Sequence, residues 1–222
     1  RDTHRRMTEV AGDLLGRSDL CALSGPSFAE EVARGLPTAV VAASRSAAPA
    51  ATAQRLLRGP AFRVYTTDDV VGVELGGALK NVIALAAGVS DGLGFGNNTK
   101  AALATRGLAE MARLGRALGA RAETFSGLSG MGDLMLTCTG RLSRNRAVGE
   151  RIGRGEPLSA ILSGMRQVAE GVTNCGNARA LAADAGVEMP IADAVHSILH
   201  EGRSPLDAVR ELMGRDPRPE PD

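Results

Sequence analysis

The chain has 222 residues, enough for one substantial domain or for one domain with part of another. Its 26 basic and 25 acidic residues leave a net charge of +1, and no aromatics are interleaved with the arginines, so no nucleic acid is expected as a partner. Aromatics make up only 2% and tryptophan is absent, so the core must be built from Ala, Leu, Val, Ile and Met, which favours closely packed helices.

In chain order, Thr3–Leu15 reads as a helix, with Met7, Val10 and Leu14 at helical spacing and Gly16 as its stop. Leu20–Leu23 reads as a short strand running into Gly25-Pro26-Ser27, and Phe28–Ala33 as one or two helical turns. Thr38–Ala43 is a second strand, Pro49–Leu57 a helix, and Phe62–Tyr65 a third strand. Strands alternating with helices indicate part of an α/β sheet. After Thr67 no further strand is predicted. Helices are expected over Asp69–Gly88, Thr99–Leu118, Ala122–Leu128, Ser143–Gly153, Pro157–Ser163, Thr173–Ala185, Pro190–His200 and Pro205–Leu212. The tail 216–222, rich in proline and charge, is expected to be disordered. The fold class is therefore mainly α: residues 68–215 form an all-α domain, preceded in residues 1–67 by the last βαβ part of an incomplete Rossmann-like domain.

Three cysteines, Cys21, Cys138 and Cys175, are odd in number and form no CxxC pair, which fits a reduced, cytoplasmic protein. No apolar run is expected to reach the roughly 20 residues of a membrane span. The charged segment Arg1–Arg6 lacks the apolar stretch of a secretory signal, and a start without Met implies that the sequence begins partway through a longer protein.

The helix Asp69–Gly88 carries Leu75, Leu79, Val82 and Ala86 on one face and Lys80 off it, with Gly76 and Gly77 one turn before the lysine. Each interior glycine costs a helix roughly 1 kcal/mol relative to alanine. The empty volume is therefore needed, either by a packed helix or by a ligand beside the lysine. A lysine in small, partly dry surroundings can trade protons near neutrality; the plainer reading is a surface lysine on a tightly packed helix. Ser27 follows the first strand, where α/β sheets bind ligands off their carboxyl ends, although an ordinary strand-to-helix turn reads the same way. Asp133 follows Gly130-Met131-Gly132, a bend from which a carboxylate could approach a lysine or simply cap a helix. Ser143-Arg144-Asn145-Arg146 opens a helix whose free amides and guanidinium suit a phosphate, or are merely a capped surface turn. Gly92–Gly96 is rich in glycine but follows no strand and lacks G-x-G-x-x-G spacing. His196 and His200 lack an H-E-x-x-H setting, so no metal is expected.

Taken together the segments are more specific. Gly25-Pro26-Ser27-Phe28-Ala29-Glu30-Glu31-Val32, Glu74-Leu75-Gly76-Gly77-Ala78-Leu79-Lys80-Asn81-Val82, the run Asp91–Leu103, Gly130-Met131-Gly132-Asp133-Leu134, Thr137-Cys138-Thr139, Leu142-Ser143-Arg144-Asn145-Arg146 and Gln167–Val172 occur in that order. The chain thus resembles the bacterial NAD(P)-dependent glycerol-3-phosphate dehydrogenases from about Met7 to Gly214. The resemblance implies reduction of dihydroxyacetone phosphate to glycerol 3-phosphate with NAD or NADP as cofactor, for phospholipid synthesis. It makes Lys80 the catalytic acid and base, with Asp133 and Thr137 orienting it and the reacting oxygen. It assigns Ser143, Arg144 and Asn145 to the substrate phosphate, and Gly25 and Ser27 to further substrate contacts. Ala29, Arg144, Val168 and Glu170 become cofactor contacts.

The family's G-x-G-x-x-G turn and a Lys-Gly pair upstream of a segment like Thr3–Leu15 have no counterpart here. The resemblance therefore implies the C-terminal two-thirds of the enzyme, inactive by itself, and leaves NAD and NADP undistinguished because the ribose-reading residue lies beyond that fingerprint. Asn97 stands where the family commonly has Asp, with no consequence expected. The alternatives are a catalytically incomplete helical domain that binds phosphate or self-associates, and a dehydrogenase of the 6-phosphogluconate type. Small residues on the central helices permit a homodimer.

Overall fold

In a computed structural model, residues 4–165, 167–217 and 219–220 are described. Thr3 and positions 218, 221 and 222 of the expected tail lie outside them. Two compact units are present: residues 1–77 with 115–136, and residues 78–114 with 137–222. Three helices, Val70–Gly92 (α4), Asn97–Ala117 (α5) and Asp133–Thr139 (α7), contribute residues to both.

The first unit contains a three-stranded sheet in the order β1-β2-β3, with β1 Ala22–Ser24, β2 Thr38–Ala43 and β3 Phe62–Thr67. β2 and β3 are parallel and joined through helix α3, Ala47–Leu57, which is the expected βαβ unit. β1 is antiparallel to β2, pairing Ala22 with Ala43 and Ser24 with Val41. The end of β1 therefore lies toward the amino end of β2, and the rule that ligands bind off parallel carboxyl ends does not transfer to Ser27. One face of the sheet buries Val40, Ala42 and Val64, packed by Cys21, Ala53 and Phe62. Ala43 packs on Val70 and Val73 of α4.

A buried and a half-buried carboxylate set helix starts in this unit. Asp69, 7% exposed, accepts from the backbone N–H of Gly72 (2.9 Å) and Arg121 (2.9 Å) and from Thr124 Oγ1 (2.5 Å). It thereby satisfies the first turns of both α4 and α6, Ala122–Ser126. Glu74 accepts from the N–H and the hydroxyl of Thr8 (2.9 and 2.5 Å), capping α1, Met7–Leu15.

The second unit is entirely helical among the described residues. Besides its parts of α4, α5 and α7 it holds α8 Arg144–Gly153, α9 Leu158–Ser163, α10 Gly171–Ala185, α11 Pro190–His200 and α12 Pro205–Met213. α4 and α8 meet along a glycine seam. A Cβ added at Gly88 would stand 2.0 Å from Arg146 O, one at Gly149 2.1 Å from Leu85 O, and one at Gly153 2.4 Å from Val89 O. Gly88 was expected to end the helix, yet α4 continues to Gly92 because that glycine serves backbone packing and not a stop. α4 is also long and apolar enough to cross a membrane, contrary to the expected absence of such a run; most of it is buried as a core helix.

Of the expected disordered tail, the carbonyl of Glu220 accepts from Arg106 Nη1 at 2.9 Å. Ala122–Leu128 was expected as one helix, but α6 stops at Ser126 and a π-helical turn, Leu128–Gly132, leads into α7. α7 was not expected, because its seven residues are bracketed by glycine-rich bends.

Candidate active site

In the first unit, three short segments converge around the two glycines of α4. Gly25 has φ +134°, which an L side chain rarely adopts, and a Cβ there would stand 3.0 Å from Val40 Cα. The exposed Ser27 donates its hydroxyl to Gly25 O at 2.9 Å, fixing the turn. A Cβ at Gly76 would stand 2.4 Å from Ser129 O, and one at Gly77 would meet Ser24 Oγ at 3.4 Å. The space beside Gly76 is therefore filled by the Ser129 backbone, the packing reason for that glycine, while Gly77 makes only an ordinary contact with the Ser24 hydroxyl. Gly132 lies 3.6 Å from the Pro26 ring, measured from its would-be Cβ, and Gly130 is pressed onto the Phe125 backbone at 2.1 Å. The Gly25–Ser27 turn and the Gly130–Gly132 bend thus share one place, and Asp133, 3% exposed, follows the bend as the first residue of α7. π-helical turns of this kind are frequent at functional sites. Ala29 is exposed at the start of the short helix α2, Ala29–Ala33.

In the second unit, Lys80 is half-buried on α4 and Thr137 is 4% exposed on α7. Asn81, 5% exposed, heads a chain of amides. The backbone N–H of Gly171 donates to Asn145 Oδ1 (2.9 Å). Asn145 Nδ2 donates to Asn81 Oδ1 (2.9 Å), and Asn81 Nδ2 to Glu170 Oε2 (3.1 Å). The Gly171 N–H can only donate, so it fixes the orientation of both amides in turn. Asn174 Nδ2 donates to Ala78 O at 3.1 Å, tying α10 to α4 as well. The first turns of α8 and α10 are thereby held together.

Ser143 caps α8, its Oγ accepting from Arg146 N at 3.3 Å. The arginines nearby divide into two kinds. Arg146 pairs with Asp91 (2.8 Å), which also binds Lys100 (2.7 Å). Arg151 pairs with Glu156 (2.5 Å), and Arg154 with Glu150. Arg144 is exposed and makes no ion pair among the described residues. A free guanidinium at a capped helix start, among amides held by a buried asparagine, is the composition of an anion site. Val168 is 64% exposed in the segment before α10, next to Glu170. Elsewhere, His200 Nε2 lies 3.1 Å from Val172 O, and His196 Nδ1 2.9 Å from Arg179 Nη1.

The model of the NAD-dependent glycerol-3-phosphate dehydrogenase C-terminus matches residues 69–210, and that of the N-terminus matches residues 1–50. The chain belongs to the NAD-dependent glycerol-3-phosphate dehydrogenase family. It is 60% identical over 224 residues to the glycerol-3-phosphate dehydrogenase [NAD(P)+] of Geobacter metallireducens, covering 99% of this chain and 66% of that protein. It is 63% identical over 194 residues to the enzyme so named from Geobacter sulfurreducens, covering 87% of this chain and 58% of that protein. The crystal structure of glycerol-3-phosphate dehydrogenase from Coxiella burnetii superposes with a TM-score of 0.93 at 45% identity, over 96% of this chain and 66% of the other. The chain thus spans about two thirds or less of the length of these relatives.

Two of the residues that the resemblance assigns to the cofactor are exposed, one in each unit. Ala29 exposes the start of α2 with almost no side chain, and Val168 offers an apolar side chain to solvent. No G-x-G-x-x-G turn is available to cradle a pyrophosphate.

Reading the sequence missed Asn81, Asn174 and Asp69. A signal for Asn81 was present: asparagine is unfavourable inside a helix unless its amide is used, and it follows the lysine directly. Asp69 stands three residues before Gly72, the spacing of a helix cap.

Proposed function

We propose that this chain is the substrate-handling part of a cytoplasmic glycerol-3-phosphate dehydrogenase that reduces dihydroxyacetone phosphate to glycerol 3-phosphate for phospholipid synthesis. The observation that carries this reading is Arg144, without an ion pair among the described residues, at the Ser143-capped start of α8, with Asn145 locked to Gly171 and to Asn81, the residue after Lys80. Family membership and the names of the relatives support the same reaction.

In this reading Ser143, Arg144 and Asn145 hold the substrate phosphate. Gly25 and Ser27 contact the rest of the substrate. Lys80 gives its ammonium proton to the ketone oxygen in reduction and recovers it from the alcohol in reverse. Asp133 and Thr137 orient the lysine and the reacting oxygen. Ala29, Arg144, Val168 and Glu170 contact NAD or NADP, whose reduced form would supply the hydride for reduction and whose oxidised form would accept it in reverse. Residues 1–67 belong to the nucleotide-binding part and residues 68–215 to the substrate part. We also propose a homodimer, supported by the exposed apolar side chains Met7, Leu14 and Leu15 of α1 (70, 81 and 63% exposed). Sedimentation velocity of wild type against Leu14→Glu tests it; a monomer at every concentration refutes it.

The test of the reaction is oxidation of NADH or NADPH on adding dihydroxyacetone phosphate, using this chain, the whole natural protein, and each with Lys80→Met. Activity is expected in the whole protein and lost with the lysine. A folded whole protein without activity would sink the substrate assignment and leave a phosphate-binding helical domain.

A further inference from the structure

A lock of close backbone contacts in the first unit leads from α4 to Asp133. On one side, a Cβ at Gly76 of α4 would stand 2.4 Å from the carbonyl oxygen of Ser129, within the π-helical turn Leu128–Gly132. The other side of that turn is closed as well. A Cβ at Gly130 would stand 2.1 Å from Phe125 O and 2.3 Å from Phe125 Cα. The Phe125 ring, 1% exposed, is in turn pressed on the end of α5, where a Cβ at Gly115 would stand 2.2 Å from its Cζ. Inside the turn, Gly132 N donates to Gly127 O, five residues back, at 3.1 Å.

The contact at Gly76 leaves no room for adjustment. Its neighbour is a main-chain carbonyl, not a side chain that could rotate aside. Ordinary contacts begin at 3.4 Å, so an alanine there would have to part α4 and the turn by about 1 Å. Phe125, wedged against Gly115, blocks the turn from taking up that movement behind Ser129. The movement therefore passes along the chain to Asp133, 3% exposed, which follows the turn as the first residue of α7. Whichever backbone yields, Asp133 changes its place relative to Gly76, and α4 bears Lys80 one turn beyond that glycine.

We propose that Gly76 is a positioning residue for the reaction: by admitting the Ser129 carbonyl it sets the place of Asp133 against the helix that bears Lys80. The proposal rests on the roles given to Lys80 and Asp133 under the proposed function. A misplacement of about 1 Å among reacting groups can cost about 100-fold in rate. The residues assigned to the substrate phosphate open α8, outside this lock, so the loss falls on kcat and spares KM.

Steady-state kinetics of the whole natural protein, with dihydroxyacetone phosphate and NADH or NADPH, test this. Gly76→Ala is expected to lower kcat about 10- to 100-fold and to change KM for dihydroxyacetone phosphate by less than about threefold. On an Asp133→Asn background the same substitution should cost less than about threefold in kcat, because residues that act as a unit are not additive. A glycine with a merely structural role would leave the two losses to multiply. Where Gly76→Ala loses its helical signal, Phe125→Leu loosens the lock from its other side without adding an atom, and the same split between kcat and KM is expected. An unchanged kcat, a loss confined to KM, or losses that multiply would overturn the proposal. If Asp133→Asn lowers kcat and Gly76→Ala does not, the positioning role alone falls; if Asp133→Asn also leaves kcat unchanged, the role given to Asp133 falls with it.

Discussion

Replacing Gly149 with alanine tests whether the α4–α8 seam positions the anion site. The new Cβ would stand 2.1 Å from Leu85 O and 2.9 Å from both Leu85 C and Val89 N. Ordinary contacts begin at 3.4 Å, so two helix backbones must part, with no flexible side chain to yield. Overpacking of this kind costs about 1–3 kcal/mol, and backbone targets belong at its upper end. Alanine recovers about 1 kcal/mol of helix propensity. The net expectation is a loss of about 2 kcal/mol. Gly176 on α10 is the control, because nothing lies within 4 Å of its would-be Cβ. Gly176→Ala should therefore gain about 0.5–1 kcal/mol. Urea unfolding of the two variants, followed by helical circular dichroism, should separate them by about 3 kcal/mol. In the whole protein Gly149→Ala should also raise KM for dihydroxyacetone phosphate, since Asn145 lies one turn away on the same helix. If Gly149→Ala is as stable as Gly176→Ala, the seam does not constrain α8 and the account of how Asn145 and Arg144 are positioned fails.

Arg144→Ala should raise KM for dihydroxyacetone phosphate about 10- to 100-fold, the loss of one charge-assisted pair of about 1.5–3 kcal/mol, while Arg151→Ala leaves it unchanged; equal effects in steady-state kinetics would refute the division of the arginines. Glu110 gives a pH signature. Burial pushes its carboxyl up to about 7, with Asp193 adding to the rise, against the Ile191 and Ala192 amides and Arg113, which hold it down. The folded state then keeps a proton that the unfolded chain releases near 4.5. This contribution to stability is full below about 4.5 and is lost as pH rises through about 7. Unfolding free energies of wild type relative to Glu110→Gln should fall between pH 4.5 and 7 by an amount on the order of 3 kcal/mol, and a flat difference would contradict the burial. Burial also pushes the Cys138 thiol up to about 12 and that of Cys175 up to about 11. Both should resist a disulfide reagent at pH 8 in the native chain and react on unfolding. Asp69→Ala, which strips the caps from α4 and α6, should cost at least about 2 kcal/mol in the same urea assay.

What the sequence disclosed, and what it concealed, follows from the range of the interactions involved. The helices that rest on local periodicity, such as α5, α11 and α12, were legible because 3.6-residue patterning and proline starts are written within each segment. The βαβ unit was legible for the same reason. The reversed direction of β1 was not, since three residues carry no signal of which neighbour they pair with or in which sense. Ser27 thus entered as a candidate through a rule for parallel sheets that its strand does not obey. It remains one through the shared position of its turn and the Gly130–Gly132 bend.

Glycine shows the limit most clearly. Gly16 and Gly186 end their helices in the left-handed conformation, at φ +61° and +65°. Gly88 looks the same in the sequence yet sits in mid-helix, because its partner, the Arg146 carbonyl, is 58 positions away in the chain. Gly76 is likewise explained by Ser129, on a segment that no local pattern connects to α4. The same reasoning applies to Arg144. Five arginines crowd residues 141–154, and their chemistry is indistinguishable in sequence. Acids at Asp91, Glu150 and Glu156 claim three of them; of the two left without an ion pair among the described residues, Arg141 and Arg144, only Arg144 stands on the Ser143-capped start of α8 where the proposed phosphate would bind.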